Sequence, residues 1–337
     1  MKKTQLNDIA KILGVSKTLV SLVLNNKGNE TGISSETQRK VIEKAKELNY
    51  TPNNFARGLR IGKSNTIGLI VSDISNPFYS KLARTVENLA YLNNYNIIIC
   101  SSDEKPEKEE KLINILLNKG VDGLIISSTL YSPDIFFELK EKNFPFVLID
   151  RHFNNREFNY IGVDNIEGSF EGTSLLAKRG HSNIGFITLG PQHISSLNDR
   201  LEGYKLALKS NKLKVNNSLI KYLPFEFNDT HIKNAITDLI TQKVDSIFFA
   251  NNTLALKSLP IIKSLKINIP KHIAVISFDD IDVFEYTYTS ISAIRQPIEK
   301  ICKQSFEILI KNIQRASNKV THKELSTELI LRESTNK

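Results

Sequence analysis

The sequence predicts two kinds of structure in one chain, a small all-α head over residues 1–50 and an α/β body after it. Three observations lead to this prediction. Apolar residues near the N-terminus recur with the period of a helix, and short apolar runs after residue 66 alternate with longer amphipathic segments. The surplus positive charge lies at one end of the chain, which indicates that the two parts have different partners.

The first predicted helix presents one apolar face, made of Leu6, Ile9, Ala10 and Leu13. These residues are spaced at i, i+3, i+4 and i+7, which places them on one side of a helix. Gly14 supplies the flexible position that ends the helix. A second helix is expected after a turn of about three residues.

The second predicted helix is capped by Ser16 and turns Val20, Val23 and Leu24 inward. Its outer face consists of Lys17, Thr18, Ser21, Leu22 and Asn25. Apart from Leu22, these are short or basic hydrogen-bonding groups that reach base edges or phosphates when a helix lies in the DNA major groove. Leu22 is expected either at the surface or against a thymine methyl group. On spacing alone, a plain three-helix bundle is the alternative.

A third helix is predicted to run to about Leu48, with Ser34 and Ser35 as candidate caps and with Ser35 and Gln38 at capping-box spacing. Charge then distinguishes the head from the body. Up to Lys63 the sequence holds 12 basic and five acidic residues, a net +7, whereas the rest holds 33 basic and 31 acidic residues, a net +2. The excess predicts a polyanionic partner for the N-terminal part alone.

The body is predicted to form two similar α/β subdomains, divided near residue 160, with parallel sheets. Its apolar strands are Ile67–Val71, Ile97–Cys100, Leu124–Ile126, Val147–Ile149, Ile184–Ile187, Ile247–Phe249 and Ile273–Ile276. Parallel sheets bind ligands outside the carboxyl ends of their strands. A cleft between the two subdomains is therefore the expected binding site.

Several protein classes are not indicated by the sequence. The N-terminus has no apolar secretory segment and no stretch approaches 18 uncharged apolar residues, so a soluble cytoplasmic protein is expected. Residues 58–64 resemble a phosphate-binding loop but have three residues between the glycines where four are required. The histidines lack ligand spacing and Cys100 and Cys302 are isolated, so neither a metal, a cofactor nor an enzyme is expected.

Motifs along the whole chain resemble the LacI/GalR family of transcription regulators. In the head and linker these are Asp8-Ile9-Ala10-Lys11, Gly14-Val15-Ser16, Val23-Leu24-Asn25, Leu48-Asn49-Tyr50-Thr51-Pro52-Asn53 and Ala56-Arg57-Gly58-Leu59. In the body they include Ser75-Asn76-Pro77-Phe78-Tyr79, Arg179-Gly180-His181, Arg200-Leu201-Glu202-Gly203-Tyr204 and Phe278-Asp279-Asp280. Several motifs in the correct order are more specific than any one of them.

The resemblance implies a homodimer with two heads on a near-palindromic DNA operator. It further implies a hinge over residues 51–63 that becomes helical on DNA, with Leu59 wedged into the minor groove. The implied contacts of this segment are Asn53, Ala56, Arg57, Leu59 and Arg60. A flexible interdomain linker is the alternative for this segment.

For the body, the resemblance extends to the periplasmic sugar-binding proteins of the ribose type, and it implies an effector site in the cleft. The matching residues are Asn76, Phe78, Tyr79, Asp150, Arg151, Arg200, Phe225, Asn251, Asp279 and Gln296. Their chemistry suits a monosaccharide, because carboxylates accept from hydroxyls and aromatic faces pack on C–H surfaces. Asn252 replaces an aspartate usual in the family. Leu22 and the longer loop over residues 26–32 also depart from its pattern.

The sequence therefore predicts a dimeric, sugar-responsive transcription regulator, a repressor, with a type I periplasmic-binding-protein-like body over residues 64–337. The N-subdomain is predicted at about 64–160 plus 292–322 and the C-subdomain at about 161–291 plus 323–337. One alternative is a regulator controlled by a protein partner, with a vestigial sugar cleft. The other is a carbohydrate-processing enzyme with a nucleic-acid-binding head, for which no catalytic pair is visible.

Overall fold

The computed structural model describes residues 4–50, 63–190, 193–315 and 319–336. The chain divides into two compact units, of which the first ends at Ser64 and the second begins at Asn65. We describe these units separately, as the head and the body. In the described residues, no helix is long and apolar enough to cross a membrane.

The head contains three helices around a small apolar core. The helices are Leu6–Leu13 (α1), Lys17–Leu24 (α2) and Ser35–Glu47 (α3). Gly14 ends α1 in the left-handed backbone region, at φ +63°, and the Ser16 side chain accepts from Leu19 N at the start of α2, as predicted. The core is formed by Ile9, Ala10, Val20, Val23, Val41 and Ala45.

The predicted capping box of α3 is wrong. Ser34, one of the two predicted candidate caps, caps this helix by accepting from Thr37 N. Gln38 instead turns toward the preceding loop, where its Nε2 donates to Asn29 Oδ1 and to Ile33 O. The loop supplies acceptors that compete with the helix N-terminus for this side chain, so spacing alone could not assign it.

The body consists of two six-stranded sheets with helices between the strands. The first sheet contains Thr66–Val71 (β1), Asn96–Ser101 (β2), Gly123–Ile126 (β3), Phe146–Ile149 (β4), Tyr160–Val163 (β5) and His322–Leu325 (β11). The second contains Ile184–Gly190 (β6), Ile220–Pro224 (β7), Ser246–Phe249 (β8), Ala274–Phe278 (β9), Ser292–Arg295 (β10) and Glu328–Ile330 (β12). The helices of the body are Pro77–Leu92 (α4), Pro106–Asn118 (α5), Asp134–Glu141 (α6), Asn165–Lys178 (α7), Ser195–Ser210 (α8), Asp229–Thr241 (α9), Asn252–Ser264 (α10), Val283–Tyr286 (α11) and Ile298–Ile313 (α12).

The two sheets repeat one strand order. The first runs β2-β1-β3-β4-β5-β11 and the second β7-β6-β8-β9-β10-β12. Their pairings are parallel except that of β10 with β12. The predicted parallel sheets are thus confirmed, and the central strands are buried along their length because helices cover both faces.

The chain passes between the two halves of the body three times. It leaves the first sheet after β5, returns at α12, which packs on α4 and the first sheet, and crosses again between β11 and β12. The structure therefore shifts the expected subdomain bounds. Strand β10, placed by the sequence in the first half, pairs with β9 in the second, and β11 extends the first half to Leu325.

Candidate functional site

The outer face of α2 presents polar side chains to solvent. Lys17, Thr18 and Asn25 are exposed, and Ser21 and Leu22 are half-buried. Asn25 Nδ2 donates to Ser21 O at 2.6 Å, so these two residues form one polar patch at the end of α2. The Ser16 hydroxyl accepts a hydrogen bond from Leu19 N at 3.1 Å and so caps the N-terminus of α2. The predicted DNA-reading residues of α2 are therefore brought together on one surface.

The predicted hinge contacts Asn53, Ala56, Arg57, Leu59 and Arg60 lie outside the described residues. Three of the four basic residues of α3 pair with acidic residues of the same helix. Lys40 pairs with Glu36 at 2.7 Å, and Lys44 pairs with Glu47. These pairs partly neutralise the positive charge of α3. Lys17 of α2, in contrast, takes part in none of the ion pairs found among the described residues.

A cavity lies between the two halves of the body, outside the carboxyl ends of their strands. Nine of the ten predicted effector residues line it: Asn76, Phe78, Tyr79, Asp150, Arg151, Arg200, Phe225, Asn251 and Asp279. The tenth, Gln296, is not in the lining, and its Nε2 donates to Asp279 Oδ1 at 2.6 Å. The lining also includes Glu104, Leu189, Ser196 and Leu197, which the sequence did not suggest.

The first half of the body contributes a buried network around Asp150. Tyr79 Oη donates to Asp150 Oδ2 at 2.8 Å, and Ser127 Oγ lies 3.3 Å from the same oxygen. Burial, together with the charges of Asp150 and Glu104, raises the pKa of Tyr79 well above its ordinary value, so this hydroxyl stays protonated as a donor. Arg151 donates through both terminal nitrogens to Glu104, at 2.7 Å each.

The second half is built around Arg200 and Asp279. Arg200 Nε donates to Asn165 Oδ1 at 2.8 Å, and its Nη1 donates to Ala250 O at 2.8 Å and to Asp279 Oδ2 at 3.2 Å. The guanidinium lies 3.8 Å from the centre of the Phe278 ring, a cation–π contact. Burial raises the pKa of Asp279, against the opposing effects of Arg200 and Gln296.

Two asparagines of the lining serve as helix caps. Asn76 accepts from Phe78 N at the start of α4, and Asn251 accepts from Leu254 N at the start of α10. Asn76 therefore caps a helix and also lies in the cavity wall. Its neighbour across the cleft is Asn252, which is fully buried and donates from Nδ2 to Asn76 Oδ1 at 2.9 Å.

The chemistry of the cleft is that of a site for a small polyhydroxylated ligand. Two buried polar atoms beside it, Arg151 Nε and Gln296 Oε1, form no hydrogen bond among the described residues, although Arg151 Nε lies 3.5 Å from Asp150 Oδ2 in an ion pair. One is a donor and the other an acceptor, and a hydroxyl group can satisfy either. The cavity measures about 30 Å³, so its two walls lie close together. Among the described residues, no group of three or more His, Cys, Asp or Glu could hold a metal ion.

A helix-turn-helix head and a two-sheet body with a polar cleft together define the class of ligand-controlled transcription regulators. Residues 5–53 match the bacterial regulatory proteins of the lacI family, and residues 173–335 match the periplasmic binding protein-like domain. The sucrose operon repressor of Pediococcus pentosaceus is 32% identical over 317 residues, which cover 94% of each chain. The chain belongs to the LacI family of bacterial transcription regulators and not to the carbohydrate-processing enzymes.

Solved structures agree with this assignment. A LacI family regulator from Enterococcus faecium with bound ribose is 27% identical, with a TM-score of 0.70 over 80% of this chain and 98% of that one. The lac repressor dimer bound to operator and an anti-inducer aligns over 99% of both chains with a TM-score of 0.85. Because its sequence identity is only 23%, the similarity to the lac repressor supports the fold alone.

Proposed function

We propose that the protein is a repressor whose head reads one half of a near-palindromic DNA operator and whose cleft binds a monosaccharide effector. In this proposal residues 1–50 read the DNA, residues 51–63 form the hinge, and residues 64–337 bind the effector and dimerise. The observation that carries it is a cleft lined by nine of the ten predicted effector residues.

The DNA-reading role rests on the outer face of α2. Lys17 and Thr18 are exposed in the first turn and Asn25 at the end of the helix, and all three side chains offer hydrogen-bonding groups to base edges or phosphates. The bases are reached when the helix lies in the major groove. Ser16, Ser21 and Leu22 complete the proposed contact surface. We assign Asn53, Ala56, Arg57, Leu59 and Arg60 to the minor groove, with Leu59 as an apolar wedge at a deformable base step.

The proposed coupling between the two ligands is a thermodynamic linkage. A sugar that binds the cleft between the halves favours one arrangement of those halves over another. If the two arrangements differ in operator affinity, sugar binding changes the operator affinity of the protein. The size of the change is limited by the ratio of the sugar's affinities for the two arrangements.

We propose a cytoplasmic homodimer. One of the two edge strands of each sheet, β2 in the first and β7 in the second, carries exposed apolar side chains, among them Ile99 and Tyr222. Tyr91 and Leu92, at the end of α4 beside β2, are each about three-quarters exposed. Exposed apolar groups at a sheet edge are typical of an interface between copies of a chain.

The DNA-reading proposal is tested by operator selection followed by binding titrations. Lys17→Ala should change base preference at defined operator positions, whereas Lys40→Ala, a matched lysine on α3 that is paired with Glu36, should leave preference and affinity nearly unchanged. Equal losses on every sequence for Lys17→Ala would contradict the assignment of α2 to base reading.

The cleft proposal is tested by calorimetry with a panel of unmodified sugars. Wild-type protein should bind a member of the panel, and Asp279→Asn should abolish that binding because it removes a carboxylate acceptor for ligand hydroxyls. Asp280→Asn is the matched control, since Asp280 pairs with Arg295 and Arg332 and does not line the cavity. A wild-type protein that binds no sugar but co-purifies with a second protein would favour control by a protein partner.

A further inference from the structure

We propose that Glu104 determines the charge of the ligand that the cleft accepts. By holding both terminal nitrogens of Arg151, it excludes anionic effectors such as sugar phosphates and leaves a site for an unphosphorylated sugar. This inference rests on the proposal that the cleft is the effector site, and it assigns a specificity role to a residue that the sequence motifs did not single out.

The contact between Arg151 and Glu104 leaves the arginine little capacity for an anion. Its two terminal nitrogens each lie 2.7 Å from one oxygen of the carboxylate, the paired geometry in which Arg also binds phosphate. The Arg151 and Glu104 side chains are only 8% and 15% exposed. A phosphate group in the cleft would have to displace Glu104 and leave its carboxylate buried without a partner.

The pair is also held in place from both sides. Glu104 has left-handed backbone at φ +56°, and its N–H donates to Ser72 O at 2.9 Å, which fixes the loop after β2. On the other side, Arg151 Nη1 lies 3.4 Å from Ser128 O. The Ser128 hydroxyl donates at 2.7 Å to Glu109, a fully buried carboxylate on α5. The arginine is therefore positioned by its supports and not by a ligand.

The net charge of the lining opposes anions as well. Three carboxylates (Glu104, Asp150, Asp279) face two guanidiniums (Arg151, Arg200), which leaves one formal negative charge, and the lining among the described residues includes no lysine. Arg200 is already engaged by Asn165, Ala250 and Asp279. In a desolvated cleft, a second negative charge close to this set is strongly disfavoured.

The test compares the binding of inorganic phosphate and of D-ribose 5-phosphate to the full-length protein by calorimetry. Wild type should bind neither measurably, and Glu104→Gln should bind both at least about tenfold more tightly than the detection limit of the titration, because the two terminal nitrogens of Arg151 become available. Glu107→Gln removes the same charge from an exposed position on α5 and should behave as wild type. In the double variant Glu104→Gln/Arg151→Met the gain should disappear.

Two results would overturn the inference: phosphate binding by wild type as tight as by Glu104→Gln, or no greater gain for Glu104→Gln than for Glu107→Gln. Glu104→Ser provides a second variant if the glutamine variant does not fold. A panel of uncharged sugars, D-ribose among them, is run on the same wild-type sample. Failure of every sugar contradicts the proposed effector function, while the phosphate titrations still decide the role of Glu104.

Discussion

The two halves of the body share one strand order, but the arginine that each half contributes to the cleft is bound by different kinds of partner. Asp150 follows β4 and Asp279 follows β9, at equivalent positions of the two sheets, and both have left-handed backbone, at φ +62° and +67°. The arginine of the first half is bound to a second carboxylate, Glu104. The arginine of the second half is held mainly by neutral acceptors, Asn165 and Ala250.

This difference shows how a repeated fold can carry two functions at equivalent places. The first half forms a closed ion-pair network that fixes a wall of the cleft. In the second half, Arg200 is held by the backbone carbonyl of Ala250, the side-chain amide of Asn165 and the Phe278 ring. Only one carboxylate, that of Asp279, forms an ion pair with it. The left-handed backbone at both aspartates is costly for most residues and is tolerated by Asp, which fits positions that aim a carboxylate at a ligand.

The largest effect should come from removing the arginine of the first half. Arg151→Met leaves Glu104 and Asp150 buried without their cation, and it should lower the free energy of unfolding by about 3–5 kcal/mol. Arg200→Met should cost less, because Gln296 still donates to Asp279. Chemical denaturation measures both losses.

The double variant Glu104→Met/Arg151→Met provides the control for this prediction. It should recover part of the stability lost in Arg151→Met, since it removes the uncompensated charge of Glu104 and leaves only Asp150, which still accepts from Tyr79 and Ser127. Equal losses for Arg151→Met and Arg200→Met would show that the two halves do not differ in the way described.

The next largest loss of stability is expected at the hydrogen bond between Asn252 and Asn76, which joins the two halves. Asn252→Asp removes the donor that faces Asn76 Oδ1 and places two acceptors 2.9 Å apart at a fully buried position. We expect a loss of about 1–3 kcal/mol in the free energy of unfolding. Asn252→Ala is the control: it loses the bond without the acceptor–acceptor repulsion, and a loss equal to that of the aspartate variant would argue against the donor role.

The smallest predicted effect depends on pH. His152, in the first half, lies 3.3 Å from Asp199 of the second half. Burial would lower the pKa of His152, but the hydrogen bond and charge of Asp199 outweigh burial and raise it. A histidine with a raised folded-state pKa contributes stability below its unfolded pKa of about 6.5 and loses that contribution as pH rises through the folded pKa.

His152→Gln should therefore be less stable than wild type at pH 5.5, by up to about 1 kcal/mol, and indistinguishable from it at pH 8.5. The pKa of the neighbouring His322 shifts in the opposite direction. Burial is the largest cause and lowers this pKa, against the effect of Glu324. His152 is one of the groups that lower the pKa of His322, so His152→Gln is also compared with wild type in a His322→Gln background, which isolates the effect of Asp199. Thermal unfolding measures it, and a difference that grows with pH would contradict the assignment.

Much of the fold follows from local patterns in the sequence. The central strands are continuous apolar runs, which parallel sheets covered on both faces require. Strands β5, β7, β10, β11 and β12 were not predicted. They are short, and β7 and β12 lie at sheet edges with mixed polar and apolar sequences such as Ile220-Lys221-Tyr222. Pairing across the sheet, which no local pattern contains, decides their existence.

The candidate site was largely predictable by family resemblance, and its exceptions have a physical cause. Gln296 was expected in the lining but is turned to Asp279. Glu104 was missed, although it follows the carboxyl end of β2, where ligand-binding residues are expected. Its acidic neighbours Asp103, Glu107 and Glu109 make it look like part of a solvated run. Only the three-dimensional proximity of Arg151 distinguishes it.

The three passages of the chain between the sheets mean that neither half is encoded by one uninterrupted stretch of the gene. A premature stop codon or frameshift just after β10 would delete α12 and β11 from the first half and β12 from the second. Late truncations should therefore unfold both halves at once, although the complete head has already been translated. Such fragments would release a DNA-reading head with no sensor to control it.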